Sequence, residues 1–280
     1  MIKTILLTFA LIIGISSVAT ANMRAPYRNE FQGSTEIRTS IPNLTVMKEE
    51  LLFACDFPYR GSLNEVLHQT REVQTSATYQ VFSTTETDAN FDFILTVNQP
   101  AKASINGIAS TVSTPVELNK PKPKRSFGDT IDSSYRVSFS GHLKKGINRI
   151  NVSYSQPMSV HERMGGIYPF FITSSFTSTF SYDLSPLREW KLDDAFTMDI
   201  RITFKDDSGW SKHLFGSDYT FHLYGRSKQV TKDADYQGRN GGYFTEIPFA
   251  KNPAAPNDSN EITIHFTKDF PEQLKATCEY

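Results

Sequence analysis

One run of the chain, Phe170–Tyr182, constrains the fold more than any other. Its even positions read Phe170, Ile172, Ser174, Phe176, Ser178, Phe180 and Tyr182. After Phe171, its odd positions are Thr173, Ser175, Thr177, Thr179 and Ser181. Successive side chains of a strand point to opposite faces, so this spacing gives one mostly aromatic face and one hydroxyl face. A helix would scatter the same residues around its circumference.

The pattern recurs along the chain. Phe91, Phe93, Leu95 and Val97 alternate with Asp92 and Thr96, with Ile94 the exception. Val137 and Phe139 flank Ser138, and Ile150, Val152 and Tyr154 alternate with Asn151 and Ser153. Met198, Ile200, Ile202 and Phe204 alternate with Asp199, Arg201 and Thr203, and similar runs end at Leu223 and Phe266. Many short strands with one polar face predict antiparallel sheets packed as sandwiches. Phe (21) and Tyr (12) are abundant, and such rings suit a pleated, half-buried surface.

Turn chemistry agrees. Asn106-Gly107 between Ile105 and Ile108 is the favoured two-residue hairpin, and Lys144-Lys145-Gly146 separates two alternating runs. Helix signals are few. Ser62-Leu63-Asn64-Glu65 has capping-box spacing, and Ser185-Pro186 places proline where a short helix opens. The expected fold is all-β: two packed antiparallel sandwich units with one or two short helices. Pro157 and Gly165-Gly166 set the expected boundary, giving an N-terminal β-sandwich domain over 22–157 and a C-terminal β domain over 158–280.

Residues 1–21 read as a signal peptide. Lys3 is followed by an apolar run, Ile5–Ile15, which is shorter than the roughly 20 residues a bilayer span requires. Ala19-Thr20-Ala21 then has the small-x-small form cleaved by a signal peptidase, so the mature chain is expected to begin at Asn22. The expected location is periplasmic or secreted, with no membrane-spanning segment in the mature chain. The two cysteines, Cys55 and Cys278, are then expected to form a disulfide in an oxidising compartment. With 29 basic and 30 acidic residues the chain has no basic excess for phosphates, so nucleic acid is not an expected partner.

Sites for chemistry are sparse. His161-Glu162-Arg163-Met164-Gly165 begins like a zinc-protease helix but has Gly165 where the second histidine belongs. There is no Gly-x-Ser-x-Gly elbow. Asp233, Asp235, Gln237 and Asn240 offer oxygens at alternate positions around Gly238, the pattern of a calcium loop, although Phe244 stands where a bidentate glutamate should close it. No other cofactor is implied. Trp190, Trp210, Tyr219, Tyr224 and Tyr243 are the candidate aromatic platform for a glycan. His222 and His265 fall on polar strand faces and would share a metal only if their strands were neighbours. Asn119–Arg125 is a basic, proline-rich strip that reads as a solvated loop.

These features lean away from an enzyme. They favour an exported, non-catalytic binding or scaffold protein of the cell envelope or extracellular space, with a protein or glycan partner. The alternatives are a carbohydrate-active protein, either a sugar-binding module or a glycosidase, and a structural subunit of an envelope appendage.

Overall fold

The computed structural model describes residues 22–23, 27–32, 35–41, 43–55, 72–95, 98–118, 134–164, 174–205, 220–227, 236–237, 243–252 and 259–279, several strands by backbone alone. The signal sequence, the Ser62–Glu65 capping box, the Asn119–Arg125 strip, Trp210 and Tyr219 lie outside the described residues.

In chain order the strands are β1 (Asn22–Met23), β2 (Tyr27–Gln32), β3 (Thr35–Ser40), β4 (Leu44–Cys55), β5 (Glu72–Ser83), β6 (Thr87–Leu95) and β7 (Lys102–Ile105). There follow β8 (Ile108–Ser110), β9 (Val116–Leu118), β10 (Ser134–Leu143), β11 (Gly146–Pro157), β12 (Ser159–Met164), β13 (Ser174–Asp183) and β14 (Leu192–Lys205). The last are β15 (Thr220–Ser227), β16 (Tyr236–Gln237), β17 (Tyr243–Glu246), β18 (Ala250–Asn252), β19 (Ser259–Phe266) and β20 (Gln273–Glu279). Among the described residues the only helical turn is the 3-10 segment Ser185–Glu189, with Pro186 near its start as the sequence predicts.

The strands form three sheets. Sheet I runs β3-β2-β6-β10-β9, with β1 also on β6. Sheet II has eight strands, β18-β19-β14-β4-β5-β11-β7-β8, and sheet III runs β12-β13-β20-β15-β17-β16. Among the described residues every strand pairing is antiparallel except β4 with β14, which is parallel. A parallel pair needs a long crossover, here the chain that builds β5 through β13 between them. Sheet II takes strands from both sides of the expected 157/158 boundary, which itself lies between β11 of sheet II and β12 of sheet III. One apolar cluster runs from Met23 to Ala276.

Alternation places the core. Leu51 and Phe53 of β4, Val73, Ala77 and Tyr79 of β5, and Ile200 and Ile202 of β14 are all buried on the inner face of sheet II. Sheet III closes one part of that face: the Phe53 ring centroid lies 5.2 Å from Phe180 and 5.1 Å from Tyr182. Sheet I closes another, with Phe93 5.6 Å from Tyr154. The hydroxyl face of β13 is not wet as alternation alone implied. Thr179 and Ser181 are themselves buried, on the face of β13 opposite Phe180 and Tyr182.

The β7–β8 hairpin forms at Asn106 (φ 52°) and Gly107 (φ 82°), left-handed values that suit these two residues. The Asn106 amide donates to Asn148 Oδ1 at 2.9 Å, and Asn148 Nδ2 donates to the Lys144 carbonyl at 2.8 Å. Two asparagines thus stitch this turn to the neighbouring β10–β11 turn.

Candidate functional site

Two groups of polar side chains stand out, one inside the fold and one on its surface. The inner group starts with a break in strand parity. In β4, Leu44 and Val46 face the core, but so do Leu51 and Phe53, which have the opposite parity. A bulge between Val46 and Lys48 accounts for the change. It turns Glu49 inward, opposite Tyr79 of β5 and beside Met198 of β14.

Glu49 is completely buried, and neither carboxyl oxygen makes a hydrogen bond. Burial pushes its pKa from the usual 4.5 up to about 8, with the nearby Tyr79 hydroxyl opposing weakly. Tyr79 donates to Asn22 Oδ1 at 2.5 Å. Burial, and then the charge on Glu49, raises the Tyr79 pKa well above normal. Tyr182 adjoins both, its pKa raised first by burial and then by Tyr79, Glu49 and Tyr154. Tyr154 and Thr75 extend the cluster, with neither hydroxyl hydrogen-bonded. Each such unmade buried bond costs about 1–3 kcal/mol.

With an ordinary peptide bond before Asn22, this cluster has a defined pH signature. A folded-state pKa above the unfolded one leaves stability intact below about pH 4.5. Stability then falls as pH rises through the window from 4.5 to about 8, as the unfolded chain ionises and the buried acid does not. Urea midpoints of a chain retaining residues before Asn22 are expected to decline across that window and level off above it.

The outer group lies across the opposite face of sheet II. His265 Nδ1 is 2.7 Å from Asp199 Oδ1, Lys48 Nζ is 2.7 Å from Asp199 Oδ2, and Lys48 reaches Glu50 at 2.9 Å. Arg149 continues the band towards Glu50 at 3.9 Å. Burial works against ionised Asp199, but the hydrogen bonds from Lys48 and His265 prevail and hold its pKa below normal. Around the band stand hydroxyls and amides, with Thr78 opposite Asn151 and Ser76 opposite Ser153. Leu52, on the central strand β4, is 40% exposed on this face. Because the pair is partly solvated, Lys48→Ala is expected to change folding stability by no more than about 1 kcal/mol in urea denaturation.

The residues singled out from sequence are dispersed. Trp190 is a core residue: its ring stacks on Phe91 at 6.5 Å and its indole N–H donates to the Met23 carbonyl at 3.0 Å. Burial thus removes it from any surface platform. Tyr224 is half-buried in β15 and stacks on His222 at 5.9 Å. Tyr243 is described by backbone alone, in β17. Of the calcium-loop residues only Gln237 falls among the described residues, by its backbone, while Asp233, Asp235 and Asn240 lie outside them. His161 and Glu162 sit in strand β12, so the helical spacing of a zinc protease is not formed. His222 and His265 belong to different sheets, and among the described residues no group of three or more His, Cys, Asp or Glu could hold a metal ion. Cys55 is buried at the end of β4, whereas Cys278 is described only by its backbone in β20.

Glu49 was missed because Lys48-Glu49-Glu50 reads as a solvated charge run. The parity change between Val46 and Leu51 was the available signal. No strict alternation can bury both, so a bulge is required, and a bulge before Lys48 leaves Glu49 on the side of Leu51.

This is an all-β protein of three packed sheets. No protein-family model matches the sequence, and no curated protein matches it. Solved structures resemble it at low identity. A candidate nutrient binding protein from Legionella pneumophila is 9% identical, with a TM-score of 0.45, over 92% of this chain and 72% of that one. An M1 zinc metallopeptidase from Deinococcus radiodurans is 12% identical, with a TM-score of 0.28, over 79% of this chain. Leukotriene A4 hydrolase from Saccharomyces cerevisiae is 10% identical, with a TM-score of 0.30, over 76% of this chain. The match spans only 42% and 30% of those two enzymes. None of the three supplies an activity for this chain.

Proposed function

We propose that this chain is an exported, non-catalytic scaffold that binds a protein partner through the outer face of sheet II. The observation carrying this reading is the exposed Leu52 at the centre of an eight-stranded sheet, bordered by hydroxyls, amides and charges of both signs. A surface of mixed polarity around an apolar centre matches the anatomy of protein interfaces. A glycan reading draws less support, since the large ring of Trp190 is spent in the core.

The test is a photo-crosslinking side chain at position 52 in cells producing the whole protein. A discrete adduct in the envelope or secreted fraction is expected. The same group at Val116, exposed on a strand of sheet I, should give none. Equal labelling from both sites, no adduct from either, or turnover of generic glycosides or esters would contradict the reading.

Export brings with it a Cys55–Cys278 disulfide. Register supports the pairing. Phe53 touches Phe180, Cys55 lies two residues beyond Phe53, and Ser178 lies two residues before Phe180. The backbone partner of Ser178 is Cys278. The bridge would join sheet II to sheet III.

A further inference from the structure

We infer that cleavage after Ala21 completes the core: the new α-ammonium of Asn22 is the counter-charge of buried Glu49. This rests on the export reading and goes beyond it, since it gives the first mature residue a structural role.

Three observations meet at this point. Asn22 and Met23 are completely buried, although they form a strand of only two residues. They are fixed by pairing with Ile94 and Phe93 of β6, by the Trp190 N–H on the Met23 carbonyl, and by the Tyr79 hydroxyl on Asn22 Oδ1. That same hydroxyl adjoins Glu49, whose two oxygens have no hydrogen-bond partner. A buried acid without a partner is stable only when neutral, whereas a buried acid beside an ammonium can stay ionised. Among the described residues the groups facing Glu49 are Tyr79 from β5, Tyr182 from β13 and Met198 from β14, none of them cationic. Asn22 joins the same cluster from β1 through its Oδ1, which accepts the Tyr79 hydroxyl, and its backbone nitrogen belongs to the same buried residue. In the precursor it is a neutral amide; after hydrolysis of the Ala21–Asn22 bond it takes up a proton and becomes a cation.

Processing therefore reverses the role of Glu49. In the precursor the acid weakens the fold above pH 4.5, which favours an open chain during translocation. In the mature chain it holds the N-terminus in the core.

The experiment has two stages. Mass spectrometry of the exported protein should find Asn22 as the first residue. Any other start overturns both the cleavage site and the pairing. Urea midpoints at pH 8 are then measured for the chain starting at Asn22 and for one retaining Ala19–Ala21, each with and without Glu49→Gln. The substitution is expected to lower the midpoint of the chain starting at Asn22, and to raise or leave unchanged that of the extended chain. The same direction and size in both overturns the pairing while leaving export intact. Should a Gln variant fail to fold, acylation of the unsubstituted mature protein decides. The Asn22 α-amine should react at least tenfold more slowly in the native state than in urea, and equal rates overturn the pairing.

Discussion

Replacing Phe53 with alanine is expected to remove about 3–5 kcal/mol of folding stability, read from urea denaturation. The ring is 1% exposed and touches Phe180 and Tyr182 of sheet III at 5.2 and 5.1 Å. Its loss opens a void between two sheets whose strands are held by their own ladders, so the gap cannot easily collapse. The aromatic pairs add about 0.5–1.5 kcal/mol beyond the area they bury. Leu52, the next residue, supplies the control. It points to the other face and is 40% exposed, so Leu52→Ala should cost less than about 1 kcal/mol. Similar losses at both positions would mean that the inner and outer faces of β4 have been assigned wrongly.

Reduction is expected to give the second large effect. A Cys55–Cys278 bridge closes a loop of 278 − 55 = 223 residues. Chain entropy gives such a loop roughly 5 kcal/mol, an upper figure because native strain is left out. Dithiothreitol should therefore lower the urea midpoint of the unsubstituted protein and leave that of a Cys55→Ala, Cys278→Ala double variant unmoved. The unreduced, denatured protein should show no titratable thiol. Two thiols per chain would contradict the bridge.

The all-β class was legible because period two is a local property. Ile262 and Ile264 are buried and alternate with exposed Thr263 and His265, as the sequence alone implied. The Asn106-Gly107 turn was legible for the same reason, since two adjacent residues set its backbone. What alternation could not convey was which strands meet. The parallel pairing of β4 with β14 joins residues such as Leu51 and Ile200 that are remote in the chain, and it carries sheet II across the expected 157/158 boundary. Nor does alternation reveal what covers a polar face: Thr179 and Ser181 are hydroxyl residues on a strand buried from both sides.

Of the candidate sites, little could be read. Trp190 carries the same ring whether it lines a surface or fills a core, and only the strands around it decide that it stacks on Phe91. Glu49 is the opposite case: a charged residue in a charged run, placed inside by one extra residue in β4. Its environment comes from Tyr79 of β5, Tyr182 of β13 and Met198 of β14, brought together only by the fold. The outer band is similar. Lys48, Asp199 and His265 become neighbours through the register of three strands, and nothing in their spacing announces it.

The central claim is that one face of sheet II is sealed by rings from the other two sheets while its reverse face stays open. Selective labelling of Phe, Tyr and Leu, read by nuclear Overhauser effects, tests it directly. Cross-peaks are expected between the rings of Phe53 and Tyr182, 5.1 Å apart, and of Phe93 and Tyr154, 5.6 Å apart, with none from Leu52 to either ring of those pairs in sheets I and III. Missing ring-to-ring peaks, or strong peaks from Leu52 to Phe93 or Tyr182, would contradict the account.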